Sequence, residues 1–282
     1  MAGHPAWVGL SATIASMVLA GVAGCVVKQH CFGDEDCPGE QSCLEGGECG
    51  FECVVAEDCD GLGLVCEHHH CVLDCAGRQL ECPEGAVSIC GQFCVDAYEA
   101  SRVDANELGG GSDETMAVSQ PGVIPWYSAD PISGMNQAIA AAACAAAGKR
   151  LCTASEWEAV CRGLDRTEYV YGDVYDPLVC NGIDTYCTCD GGEIYPHCYL
   201  DCGADFHVEP TGSFPACDSG FGVMDVNGNV WEVVDSTDGL DHYRGGAYNC
   251  RDSEKLHACG YEATWNPSAK GFRCCADGEP AR

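Results

Sequence analysis

Four side-chain oxygen donors fall on one short turn of this chain. The stretch reads Phe221-Gly222-Val223-Met224-Asp225-Val226-Asn227-Gly228-Asn229-Val230-Trp231-Glu232. Its donors are Asp225, Asn227, Asn229 and Glu232, and Gly228 among them tolerates the positive φ of a tight turn. Hard oxygens crowded on one turn suit Ca²⁺. An EF-hand loop needs Gly at its sixth position and Glu at its twelfth, whereas here they come fourth and eighth after Asp225 is counted first. A calcium loop here is therefore of another kind. The same residues also read as an Asn-Gly hairpin turn with Trp231 in the core. A second chemical candidate is Cys250, which is either an unpaired thiol or the partner of a loop cysteine such as Cys180 or Cys217. A third is His68-His69-His70, which can hold a transition metal loosely but reads more simply as an exposed polar loop.

These groups sit in a chain of 282 residues with 26 cysteines. Such density reads as disulfides formed outside the cytosol. Zinc is the competing reading, because Cys187-Thr188-Cys189 and Cys274-Cys275 are tight pairs. Zinc modules, however, use paired C-x₂-C units at regular separation, and none occurs. The formal charge is −31, from 44 acidic against 13 basic residues. That disfavours nucleic acid and anionic membrane surfaces as partners, and favours cations or cationic ligands, or is plain solubility.

Residues 1–24 carry no Asp, Glu, Lys or Arg, and Val8 to Gly24 is an apolar run too short for a membrane span. It ends Val22-Ala23-Gly24-Cys25, which resembles the lipobox of bacterial lipoproteins. The resemblance implies cleavage before Cys25 and a lipid anchor on its sulfur. Val26 after it is not Asp, which implies the outer membrane of a Gram-negative bacterium; plain secretion is the alternative. Its n-region departs from the pattern, with only His4 and the amino terminus for charge. A lipidated Cys25 leaves an odd number of cysteines, so at least one is free, ligated or bonded to another molecule.

From Cys31 the spacing is regular. One unit runs Cys31, Cys37, Cys43, Cys49; the next runs Cys53, Cys59, Cys66, Cys71, each with an acidic pair before its second cysteine. Neither has the apolar residues for a core, so disulfides must replace one. The organisation expected is a signal peptide at 1–24, disulfide repeats at 25–80 and a large domain at 81–282.

In the large domain, Phe93 to Ser101 alternates like a strand, and 104–122 is a Gly-rich loop. A helix capped by Ser133 follows, with Met135, Ile139, Ala142 and Ala146 on one face, ended by Gly148. Lys149 and Arg150 then lie near its C-terminal dipole. The capping box Thr153-Ala154-Ser155-Glu156 opens a second helix through Trp157 to Cys161. Beyond Gly163 no long helical period appears.

Several short motifs now occur in order: Gly148-Lys149-Arg150-Leu151, Ser155-Glu156-Trp157-Glu158, Cys161-Arg162-Gly163, Tyr171-Gly172, Gly212-Ser213-Phe214-Pro215, Gly228-Asn229-Val230-Trp231-Glu232, Arg244-Gly245-Gly246 and Gly271-Phe272-Arg273-Cys274. Over about residues 85–282 the chain resembles the sulfatase-modifying-factor family, which includes the formylglycine-generating enzymes. The resemblance implies an α+β fold with little regular structure, the formylglycine-generating-enzyme variant of the C-type lectin fold, here behind small disulfide-rich modules. It implies structural Ca²⁺ held by Asp225 and Glu232 with the Gly228 and Val230 carbonyls. A second Ca²⁺ would use Asn181, the Gly182 carbonyl and an acid at Asp205. It implies the disulfides Cys144–Cys274 and Cys161–Cys259; Cys152–Cys275 is added because each lies close in sequence to an end of a bridge just named.

Formylglycine-generating enzymes resemble one another in a pair of cysteines, five positions apart, that binds Cu(I), which soft thiolates suit. Here Cys250 keeps the first place, Lys255 replaces the second cysteine, and Ala247 replaces the family's serine. An ammonium cannot replace a thiolate on copper, so the expectation is a calcium-stabilised binding module on the cell surface, with a protein, peptide or glycan ligand. The alternative is a copper-dependent oxidase that converts a substrate cysteine to formylglycine.

Overall fold

The computed structural model describes residues 42–44, 48–50, 53–55, 64–67, 70–75, 79–187, 202 and 207–280. Cys25, His68, His69 and Asp205 lie outside them, as does the export segment. The chain divides into two compact units, Met1–Gly50 and Phe51–Arg282. In the first, Ser42–Leu44 pairs antiparallel with Glu48–Gly50. The second cysteine repeat groups with the large unit, where Leu64–Glu67 pairs with His70–Leu73 and Cys53 is bonded to Cys66.

Two four-stranded sheets organise the large unit. One holds Ala86–Ile89, Phe93–Asp96, Cys274–Ala276 and Arg150–Leu151 side by side, so chain segments far apart in sequence meet. The other orders Glu262–Ala263, His242–Arg244, Trp231–Val234 and Lys270–Phe272, with only the last pair parallel. Strands this short carry few ladder bonds of their own. Their stability comes from buried Trp157, Trp231, Tyr243, Phe93 and Phe272, each at most 1% exposed.

The strand expected over Phe93 to Ser101 is two: it breaks after Asp96 and resumes at Ala100–Ser101, which pairs with Val118–Ser119. The break lets Asp96 take the ammonium of Lys149 at 2.5 Å. Helix α1 is Gln137–Ala146, capped by Asn136 rather than Ser133, since the Asn136 side chain accepts the Ile139 N–H. Its buried face is Ala140, Ala143 and Cys144; Ile139 is 41% exposed. The three small side chains let the helix lie close on the sheet, and a disulfide fastens it there. The Lys149 N–H donates to the Cys144 carbonyl at the end of α1, while the Lys149 side chain pairs with Asp96 and the Arg150 side chain with Glu156 and Asp277. Helix α2 is Ala154–Arg162, opened by the Thr153/Glu156 capping box. Helices α3 (Ile183–Tyr186) and α4 (Ser253–Leu256) are single turns. No helix among the described residues is long and apolar enough to cross a membrane.

Among the described residues, disulfides join Cys144 to Cys274, Cys152 to Cys275 and Cys161 to Cys259, all ending on the C-terminal segment. Cys180 is bonded to Cys217, which removes both as partners for Cys250.

Candidate functional site

The turn at 225–232 is the hub of the large unit. Asp225, Gly228 and Asn229 have φ of 58°, 80° and 53°. At Gly228 a Cβ would lie 2.2 Å from the Asn181 carbonyl oxygen, so no side chain fits. The turn is not a hairpin, because the strand that leaves it pairs with His242–Arg244 and Lys270–Phe272 further along the chain. Trp231 enters the core, 1% exposed.

The two asparagines serve as structural hubs. Asn227 Oδ1 accepts the Val170 N–H at 2.9 Å, and its amide donates to the His257 carbonyl at 2.6 Å. Asn229 Oδ1 accepts the Glu209 N–H and the Asn181 amide, both at 2.9 Å, and its own amide donates to Glu99 at 2.6 Å. Backbone bonds from Gly228 to Gly245 and from Tyr248 to Asn229 then tie the Cys250 loop to this turn.

Behind the turn is a buried charge cluster. Arg273 donates to both oxygens of Glu232, at 2.5 and 2.6 Å, and Trp157 Nε1 donates to Glu232 at 2.7 Å. Asp225 accepts the Gly212 N–H at 2.6 Å, and Glu99 accepts the Val230 N–H at 3.2 Å. Three carboxylates thus share a dry interior with one guanidinium. Burial, with repulsion from Asp225 and Glu232 added, holds Glu99 well above the ordinary carboxylate range. Burial also pushes Asp225 up to about 7, against the Gly212 hydrogen bond and Arg273. Glu99 went unrecognised in the sequence. Its signal is an acid within the strand-like Phe93–Ser101 segment, which a folded chain can bury only with partners.

The donors suit calcium unequally. Asp225 with the Gly228 and Val230 carbonyls has the hard-oxygen chemistry, and the surplus of buried carboxylates is what a cation offsets. Glu232 fits less well, because both its oxygens face Arg273. At the second set, Asn181 Oδ1 is buried with no hydrogen-bond partner, an acceptor that a cation would satisfy. The Gly182 carbonyl accepts the Thr185 N–H. Among the described residues no three His, Cys, Asp or Glu side chains converge as a metal cluster. Calcium here would lean on carbonyls and Asn181.

Copper does not fit. Cys250 is the free cysteine among the described residues, and it is buried. Its sulfur accepts the Ala247 N–H at 3.0 Å, and burial pushes the thiol up to about 12, although the Ala247 and Trp231 hydrogen bonds oppose this. No second thiolate is at hand among the described residues: Cys259 is bonded to Cys161, and Lys255 is exposed with its Nζ 5.7 Å from the Tyr261 ring centre. Beneath the loop, burial lowers His257 to about 4, so its neutral ring donates Nε2–H to the Ala247 carbonyl at 3.2 Å. A Cβ on Gly246 would lie 2.2 Å from that ring. These contacts fix the loop; they do not activate Cys250.

Comparison with known proteins agrees with this architecture. A curated relative, the formylglycine-generating enzyme of Mycobacterium tuberculosis (strain ATCC 25618 / H37Rv), is 39% identical over 100 residues, 35% of this chain. The match spans only 30% of that enzyme's length. Two solved structures are more distant: PvdO from Pseudomonas aeruginosa (16% identity, 66% of this chain and 80% of that one, TM-score 0.39) and the Major Tropism Determinant I1 variant (15%, 79% and 61%, 0.40). The model of the sulfatase-modifying factor enzyme 1-like domain matches residues 87–277, so the chain belongs to that family, with its mixed helix-and-strand fold.

Proposed function

We propose that this chain is a lipid-anchored cell-surface protein whose large unit, stabilised by calcium, binds a ligand and does not oxidise cysteine. The observation that carries the reading is the isolation of Cys250, buried and without a second thiolate among the described residues, with Lys255 where the resemblance would put the other copper cysteine. A thiol pushed up to about 12 is almost wholly protonated at neutral pH, which opposes both metal binding and nucleophilic attack. Export and anchoring at Cys25, in the outer membrane, rest on the lipobox-like Val22-Ala23-Gly24-Cys25. The ligand is a protein, peptide or glycan, and the acidity of the chain favours cationic chemistry in it.

The competing reading is a copper-dependent oxidase, favoured by the free thiol itself and by the likeness to a formylglycine-generating enzyme. Anaerobic titration with Cu(I) separates the two. The binding-module reading expects no tight stoichiometric uptake, and the same curve for Cys250→Ser; one equivalent held tightly and lost in the variant would refute it. Counting thiols on the unfolded, unreduced protein is a cheaper check, since a count of zero removes the oxidase reading.

Calcium would be held by Asp225 with the Gly228 and Val230 carbonyls, assisted by Glu232, and by Asn181 with Gly182 and Asp205. Its role would be to offset buried negative charge and pin the turn. EDTA is then expected to lower the melting temperature by about 5 °C, the order expected for loss of a ligand well above its Kd. Calcium should restore it where magnesium does not. An unchanged melting temperature would count against the sites.

A further inference from the structure

The imidazole of His242 stands between two carboxylates. Nδ1 is 2.6 Å from Glu262 Oε1 and Nε2 is 2.9 Å from Asp238 Oδ2. Carboxylates only accept, so both ring nitrogens must donate, and only the imidazolium has two N–H groups. The three residues come from different places: His242 from the His242–Arg244 strand, Glu262 from the neighbouring Glu262–Ala263 strand, and Asp238 from the connection after the Trp231–Val234 strand.

The charges around it alternate. Glu262 Oε2 is held by Arg244 at 2.9 Å, Arg244 reaches Glu158 of α2 at 3.1 Å, and Glu158 holds Arg162 at 2.8 Å. From the strand on the other side, apolar Val234 stands opposite His242. Asp241, next in sequence, is taken by the Gln137 N–H. The two carboxylates are therefore held unequally. Glu262 is fixed by Arg244 as well as His242, whereas Asp238 is half exposed. Its other oxygen accepts from Ser236 and Leu240 within the same loop.

That loop closes one side of a groove. Gln137 at the start of α1 donates to Asp235 and to the Ser236 carbonyl. Gly239 and Asp241 face Asn136, Gln137, Ala138 and Ala141 across a space of about 340 Å³. Gly239 sits at φ 80°, where a glycine can absorb movement.

We propose that His242 is a pH-sensitive latch that ties the tip of the 235–241 loop, through Asp238, to the strand pair bearing His242 and Glu262 while its imidazole is protonated, and frees the tip beside the α1 groove when the proton leaves, the base of the loop staying with Gln137. The neutral ring keeps one N–H, which stays with the better-fixed Glu262. Nε2 then turns a lone pair toward Asp238, and attraction becomes repulsion. Burial opposes the charged ring, but the hydrogen bonds to Glu262 and Asp238 outweigh it and hold the imidazole above its ordinary pKa. The sign follows: a raised pKa gives stabilisation that is full below the unfolded value of about 6.5 and is lost as pH rises through the folded value. The loop tip is latched in mildly acidic medium and loosens in alkaline.

The test is made on the full chain by NMR. Titration of the His242 ring should give a pKa above about 6.5, and Asp238→Asn should lower it. Exchange of the 236–240 amides, corrected for intrinsic rate, should lose about three-fold protection from pH 6 to 9, with its midpoint at the His242 pKa. His242→Gln, which keeps a polar group of similar size, should make that protection independent of pH. A His242 pKa at or below the ordinary value overturns the proposal, as does pH-dependent protection that survives in His242→Gln.

Discussion

Glu232→Gln is expected to destabilise the large unit by about 3–5 kcal/mol, the usual effect of removing one partner from a buried ion pair. Arg273 is 1% exposed and donates two hydrogen bonds to the Glu232 carboxylate. The variant keeps the side chain's shape but takes from the guanidinium the one carboxylate that it is hydrogen-bonded to. One carboxylate oxygen is replaced by an amide NH2 that cannot accept, so the Trp157 indole or Arg273 loses an acceptor as well. In a domain of this size the effect is a fall of roughly 10 °C in melting temperature, measured by calorimetry. Glu232→Gln with Arg273→Met should recover part of the loss, because the stranded charge is gone. The single variant's deficit should persist in EDTA, since it arises from Arg273 whether or not calcium is bound. A single variant as stable as the parent would contradict this account of the cluster.

The second large effect comes from the C-terminal staples. Cys144–Cys274, Cys152–Cys275 and Cys161–Cys259 have sequence separations of 130, 123 and 98, so each taken alone closes a long loop. They are nested. With Cys152–Cys275 intact, removing Cys144–Cys274 frees a loop of only about ten residues, and the chain-entropy model gives about 3 kcal/mol rather than about 5. Removing both then frees a loop of about thirty residues around Cys161–Cys259, for a total of roughly 6 kcal/mol. Paired alanine variants in urea should show this: the first bridge tolerated, the second bringing the domain near the limit of its stability. Equal losses of about 5 kcal/mol for each bridge would show that nesting is irrelevant.

Legibility varied with the range of the interaction. The α2 capping box was readable because its two residues are three apart and bond each other. The cap of α1 was misplaced from Asn136 to Ser133, because both are good caps and the exposed Ile139 imitated a core face. Asp225 and Glu232 were singled out from their oxygens, but Arg273, the group facing Glu232, lies 41 residues on in sequence. Asn227 and Asn229 looked like ligands and are hydrogen-bond hubs, since a side-chain amide serves either purpose and only its neighbours decide.

Residue order alone carries the family through its short motifs, the disulfide-rich character through cysteine density, and Lys255 five positions after Cys250. Those are properties of residue identity and order, which folding does not alter. Tertiary structure alone decided that Cys180 meets Cys217 and leaves Cys250 free, that Glu99 joins Asp225 and Glu232 around one guanidinium, and that His242 sits between Asp238 and Glu262. Charge and redox chemistry depend on distances of a few ångströms between residues far apart in sequence. Packing sets those distances, and no local pattern in the chain encodes them.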